Sequence, residues 1–251
     1  KSINFPQNRK DLNKPVSETT VNNYLRNMKV FFNYMHSNHY IKTNPFQRIK
    51  RKLNNDHKPV DFISDDDFKK LIKSFDMSKF HEYRDSTITQ LLIDTGMRIG
   101  ECLLIKIDDI DMTRRAIYLQ PDNTKGKKGR TVFYSDEMGK IMKKWLQFKD
   151  RYRDSDFLFC TNKGKSLLVN NFEANFRRYT TNVGLKKSHP HQLRNNFARR
   201  FLLNGGDIFT LSRILGHSSV TVTEKAYLDL DDEDLRVNYA PHSPLTKIMK
   251  K

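Results

Sequence analysis

Residues 188–227 read SHPHQLRNNFARRFLLNGGDIFTLSRILGHSSVTVTEKAY, and the rest of the chain takes its meaning from them. His191 and Arg194 stand three apart, so a helix directs both to one side. Asn195 to Leu203 is helix-compatible, and Asn204-Gly205-Gly206 stops it with residues that tolerate a left-handed cap. Asp207 suits the N-cap of a next helix, which should end near His217. Thr221 and Glu224 have the T-x-x-E spacing of a capping box, opening a last helix that carries Tyr227. Two imidazoles, one guanidinium and one phenol thus each fall at a helix end or on a helix face. Such groups handle a phosphate, with the phenol as candidate nucleophile.

At 251 residues the chain has room for one large domain or two modest ones. With 37% apolar residues, 17 Phe and 10 Tyr, a packed core is expected. A formal charge of +17 and a pI near 9.8 point to a polyanionic partner, nucleic acid ahead of an acidic membrane. No apolar run approaches the roughly 20 residues of a membrane span, and no signal peptide is visible. Cys102 and Cys160 lie among apolar residues and read as reduced core thiols of a cytoplasmic protein. Lys1 in place of a methionine suggests a piece of a longer protein.

Upstream, Ser17 suits the cap of a helix whose apolar positions are Val21, Tyr24, Leu25, Met28, Phe31, Phe32 and Met35, an amphipathic pattern about five turns long. Thr20, Asn23, Arg26, Asn27 and Lys29 lie off that stripe, either as a solvated face or as a surface that follows DNA. Residues 1–58 hold twelve Lys/Arg against three Asp/Glu, which favours the second reading. Asn44-Pro45 ends the next short segment, and RIKRKLNNDHKP (48–59), with Arg51 and Lys52, reads as a basic linker.

A second domain is expected over 59–235, opened by a cap at Ser64 and the acidic turn Asp65–Asp67. Helical patterning at 85–94 breaks at Gly96. Residues 103–135 take on strand character in LLIKIDDID, RAIYLQ and GRTVFYS, the last two joined by the lysine-rich hairpin loop PDNTKGKKG. Helices are expected again at 136–150, with Trp145 in the core, and at 169–182; FLFCTNKGKSL (157–167) between them is a short strand or turn. Residues 236–251 form a tail.

The ordered set TGMRIGE (95–101), TKGKKGR (124–130), HQLR (191–194), LGH (215–217) and TEKAY (223–227) resembles the tyrosine recombinases, or phage integrases. The resemblance covers about residues 60 to 235, and 17–58 looks like the latter part of that family's helical core-binding domain. It implies a mainly α fold with a small antiparallel β-sheet (α+β), as a two-domain clamp on double-stranded DNA. It also implies cleavage without metal or other cofactor, in which a tyrosine takes the 3′-phosphate and frees a 5′-hydroxyl. The expected function is site-specific recombination, as an integrase or transposase of a mobile element. Chromosome-dimer resolution and a non-catalytic DNA-binding regulator are the alternatives. A tetramer on two sites is implied, with the tail docking on a neighbour or fraying.

The resemblance assigns the nucleophile to Tyr227, ten residues after His217, and the phosphate clamp to Arg98 and Arg194. Independently, attack on a phosphodiester builds negative charge on non-bridging oxygens. The planar, permanently charged arginine fork suits those oxygens. Glu101, one turn from Arg98, is a candidate to orient it. Lys125 matches the lysine that protonates the leaving oxygen, with Lys127 and Lys128 as competitors in the same loop. His191 is expected to steer the phenol proton and His217 to donate to the phosphate. A zinc site from His189, His191 and His217 lacks a cysteine or carboxylate at suitable spacing, so no metal is expected.

Overall fold

The computed structural model describes residues 17–48, 62–124, 126–185, 188–217 and 219–227, together with positions 236, 239, 245 and 248. Backbone packing divides the chain into one unit over Lys1–Lys58 and another over Pro59–Lys251.

In the first unit, helix α1 runs Glu18–Ser37, and the Ser17 hydroxyl accepts from the Thr20 amide at its start. A 3-10 turn, Pro45–Arg48, packs against it through Phe46, which stacks on Phe32 with ring centroids 5.2 Å apart. Asn44 is buried, bridging Asn33 and the Phe46 amide. The apolar stripe read from the sequence divides here. Phe32 faces the turn, whereas Tyr24, Met28 and Phe31 are exposed. Asn23, Arg26, Asn27 and Lys29 are exposed as well, while Thr20 is half-buried with its hydroxyl 2.8 Å from Ser17. Arg51 and Lys52 lie outside the described residues.

The second unit comprises α2 (Asp65–Lys73), α3 (Phe80–Thr95), α4 (Ile99–Cys102), β1 (Ile110–Asp111), β2 (Ala116–Leu119), β3 (Arg130–Phe133), α5 (Asp136–Asp150), α6 (Val169–Asn182), α7 (His191–Leu203), α8 (Ile208–Leu215) and α9 (Val220–Tyr227). It is mainly helical with one three-stranded antiparallel sheet in the order β1-β2-β3. Helix α3 is the centre, packed against α5, α6 and α7, with Ile88, Leu91 and Leu92 removed from water. Its neighbours contribute Trp145, Phe159, Phe172, Phe176 and Leu193 to the same core. The Trp145 ring nitrogen donates to the Leu158 carbonyl, so its polar atom is satisfied inside the core. Asp85, fully buried, is met by Arg84, Asn175 and Tyr179, tying α3 to α6. Cys102 and Cys160 are free thiols in the interior, and burial raises the Cys102 thiol well above its usual range.

Local sequence explains most helix ends. Ser64, Ser135 and Asp207 cap α2, α5 and α8 by accepting the amides of Asp67, Met138 and Thr210. The residues before α2 dock on α7: Asn196 accepts the Ile63 amide, and Arg200 donates to the Ile63 carbonyl. In the sheet, Ile117, Leu119 and Val132 are buried while Tyr118 and Phe133 face out, the alternation a half-covered sheet requires.

Two expectations need correction. LLIKIDDID is not a strand along its length: α4 extends to Cys102, a 3-10 turn occupies Ile107–Asp109, and β1 keeps only two residues. The Asp109 carboxylate accepts the Lys106 amide and closes that turn, while Leu103 and Ile105 enter the core without a ladder partner in the sheet. The cap of α9 is also displaced. The helix begins at Val220, and the Ser219 hydroxyl accepts the Thr221 amide, so Thr221 lies inside the first turn instead of ahead of it.

Candidate active site

Two helix ends meet over α7. Gly96 closes α3 with φ of +64°, and Gly216 closes α8 with φ of +65°. A side chain at Gly96 would stand 2.3 Å from the Phe197 ring, so α3 and α7 approach this closely only because glycine is there. Arg194, on α7, uses the convergence. It donates to the Gly96 carbonyl at 2.7 Å and the Leu215 carbonyl at 2.8 Å, and sits 3.0 Å from His217 Nε2. It is 3% exposed, whereas His191, at the N-terminal end of the same helix, is exposed.

His217 follows the Gly216 cap. Its Nδ1 lies 2.7 Å from the hydroxyl of Thr223, a fully buried residue of α9. Arginine only donates, so Nε2 must be the accepting nitrogen and Nδ1 carries the proton, which it gives to the Thr223 oxygen. Burial, then the guanidiniums of Arg194, Arg98 and Arg130 and the His191 ring, push the His217 pKa down to about 4. His217 is therefore neutral at pH 7 in the protein alone. His191 is lowered too, by partial desolvation of its ring and then by Arg194, His189 and Arg98. Its ring stacks 6.5 Å from that of His189.

Arg98 stands at the start of α4, with a side chain 30% exposed. Glu101, 2% exposed, reaches back to the Arg98 amide at 2.9 Å and its Nη1 at 3.0 Å. A second arginine meets the same carboxylate from β3. Arg130 Nη1 and Nη2 lie 2.9 and 2.7 Å from the two Glu101 oxygens, and its Nε donates to the Ile214 carbonyl at 3.1 Å. Burial alone would raise the Glu101 carboxyl, but the Arg130 bonds and charge, followed by those of Arg98, hold it below the usual range. Three guanidiniums against one carboxylate leave the cluster a net 3 − 1 = +2.

The loop between β2 and β3 is pinned at Thr124. The Thr124 carbonyl accepts the Lys127 amide at 3.1 Å, and its hydroxyl oxygen accepts the Lys128 amide at 3.1 Å. Lys127 and Lys128 are exposed, and Lys125 lies outside the described residues. Tyr227 is the last residue of α9, one turn beyond Thr223; its side chain lies outside the described part. Among the described residues no group of His, Cys, Asp or Glu is arranged to hold a metal, and no helix is long and apolar enough to cross a membrane.

The structure thus brings Arg98, Glu101, Arg194 and His217 into one charged neighbourhood with His191 at its rim. Sequence reasoning passed over Arg130 and Thr223, although both lie within quoted motifs. The signal for Arg130 was its place at the foot of a lysine-rich loop.

The model of the phage integrase family matches residues 61–234. A curated relative from Thermodesulfovibrio yellowstonii, tyrosine recombinase XerC, is 30% identical over 247 residues, covering 93% of this chain and 79% of its own length. The protein of the same name from Pediococcus pentosaceus is 27% identical, with 91% and 77% covered. Among solved structures, XerA recombinase aligns with a TM-score of 0.63 at 29% identity, covering 91% of this chain and 77% of that one. The integrase of transposon Tn1549 bound to circular-intermediate DNA aligns with a TM-score of 0.75 at 20% identity, with 89% and 79% covered, and speaks for the fold alone. The cluster of guanidiniums and imidazoles therefore sits in a scaffold shared across these proteins, and the chain belongs to the phage integrase family, the tyrosine recombinases.

Proposed function

We propose that this chain cleaves and rejoins double-stranded DNA at specific sites through a covalent 3′-phosphotyrosine on Tyr227. The observation that carries the reading is the convergence of Arg98, Arg194, His217 and Arg130 from four separate elements beside α9, the helix that ends on Tyr227. A cluster of net charge +2 with partly exposed Arg98 fits a phosphodiester, and fits better the trigonal-bipyramidal state in which its non-bridging oxygens gain charge. The phenol oxygen of Tyr227 bonds to phosphorus as the bond to the 5′-oxygen breaks. His191, uncharged near neutrality, takes the phenol proton, and Lys125 gives a proton to the departing oxygen. A bound phosphate offsets the positive charge at His217 and draws the Arg194 guanidinium away from Nε2, so the His217 pKa rises and Nε2, now protonated, donates to a phosphate oxygen. Because the phosphotyrosine keeps the ester's energy, rejoining is the same step run backwards.

The exposed Asn23, Arg26, Asn27 and Lys29 of α1, with Lys127 and Lys128, are assigned to the DNA backbone, which suits a cytoplasmic protein of charge +17. Strand exchange between two duplexes needs several copies, and a tetramer linked by residues 236–251 is proposed. Between integration of a mobile element and resolution of chromosome dimers, the relatives named tyrosine recombinase XerC support the second.

The test is covalent capture. A randomised pool of duplexes, each nicked so that cleavage cannot be reversed, is incubated with the protein, and DNA attached to protein is recovered and sequenced. Tyr239, in NYAPHSP (238–244), is the competing tyrosine near the end of the chain. A selected duplex should form an adduct with the parent and with Tyr239→Phe, and none with Tyr227→Phe, while Tyr227→Phe still binds it. An adduct mapped to the peptide containing Tyr239, or no capture by the parent, overturns the reading.

A further inference from the structure

We propose that Arg130 is a positioning residue for this reaction: by engaging Glu101 it leaves Arg98 free to meet the scissile phosphate. The proposal rests on the phosphate-handling reading of the site given above. Glu101 is 2% exposed and offers about four acceptor positions. All are taken, two by the amide and Nη1 of Arg98 and two by Nη1 and Nη2 of Arg130. Charge decides what this means. Arg98 and Glu101 alone sum to zero, and a carboxylate offered one guanidinium draws it into a two-point pair. With Arg130 holding both oxygens, the trio carries +1, and Arg98 keeps a single side-chain bond to Glu101 with its side chain 30% exposed. Arg130 itself is 13% exposed, so of the two arginines on Glu101 it is Arg98 that faces solvent.

A second contact extends the role. Nε of Arg130 donates to the Ile214 carbonyl, and a side chain at Gly216 would come within 2.9 Å of the Arg130 side chain. The guanidinium therefore lies against the turn that leads into His217. One residue joins the strand leaving the lysine-bearing loop to the helix that presents Arg98 and to the end of the helix before His217. A lysine has the charge but not the fork, and three bonds in one plane are beyond it.

The test compares the full chain with Arg130→Lys, Arg130→Gln and Arg98→Gln on one duplex selected by covalent capture, in three forms. The first has an ordinary phosphodiester, the second an uncharged methylphosphonate at the scissile position, and the third a sulfur in place of the leaving 5′-oxygen. On the phosphodiester, adduct formation should fall about 100-fold for both Arg130 variants, as misaimed catalytic groups cost, with duplex affinity within about 2-fold. On the methylphosphonate, which develops less charge for Arg98 to meet, the deficit should shrink for Arg130→Lys and Arg130→Gln as it does for Arg98→Gln. On the thiolate-leaving form, which needs no proton at the leaving atom, it should persist. An equal deficit on all three substrates makes Arg130 a structural support only. Rescue by sulfur alone shows that it acts through the lysine loop, and full activity of Arg130→Lys shows that the fork is dispensable; each of these overturns the proposal. If Arg130→Gln fails to fold, Arg130→Lys decides. A parent that forms no adduct on any form refutes the reading of the site itself, separately from the role of Arg130.

Discussion

His217 should make the second unit acid-sensitive in a window set by its neighbours. Its pKa falls from an ordinary 6.5 to about 4 in the folded protein, because burial and three arginines oppose the imidazolium. The unfolded chain therefore binds a proton between those values and the folded chain does not. Stability from this source is complete above the ordinary pKa and is lost as pH falls toward the folded one. At roughly 1.36 kcal/mol per pH unit the ceiling is about 3 kcal/mol, and about 2 kcal/mol of it is gone by pH 5. Solvent at the partly exposed ring lowers the expected loss to about 1–2 kcal/mol. Urea unfolding at pH 7.5 and pH 5 measures it through Trp145, the only tryptophan and fully buried in the second unit. His217→Gln keeps a neutral polar group but cannot titrate, so its loss between the two pH values should be smaller than the parent's by that amount. An equal loss in both proteins would show that Arg98, Arg130 and Arg194 do not hold the ring neutral, and the tautomer argued from the Arg194 contact would fail with it.

Gly96→Ala should lower stability by about 2 kcal/mol or more, since it combines a positive φ with a contact at 2.3 Å from Phe197, and a melting curve on the purified variant checks this. Its effect on cleavage should exceed the effect on fold at low temperature, because the Gly96 carbonyl is a ligand of Arg194. Replacing Arg26 and Lys29 together by Ala should reduce the slope of log affinity against log salt by about 1.8 if each neutralises one phosphate; an unchanged slope would remove α1 from the DNA surface.

Helix ends were readable because they are local. Ser17, Ser64 and Asp207 each bond an amide two or three residues ahead, so the sequence shows both partners at once; Ser135 caps α5 in the same way and went unread. Gly96 was readable as a stop because it too acts locally, and the end of the helix near His217 falls at Gly216. LLIKIDDID was misread because an apolar run followed by acids looks the same whether it feeds a strand or a buried turn, and the Asp109 bond to the Lys106 amide decides it. Thr221 was misread by two residues because Ser219 offers an equivalent hydroxyl.

The residue types at the site, the order of the motifs and the net positive charge were determined by the sequence alone. So was the family resemblance that ranked Arg98, Arg194, His191, His217 and Tyr227 above every other residue of their kinds. Tertiary structure alone decided which groups share a charge. Arg130 and Glu101 are 29 residues apart, Arg194 and His217 are 23 apart, and the carbonyl ligands of Arg194 come from the ends of two other helices. No periodicity encodes those distances, because they arise where α3, α7 and α8 cross and where two glycines let the backbones close. That geometry makes His217 neutral, keeps Glu101 ionised in the interior, and leaves Arg98 the most exposed of the three arginines.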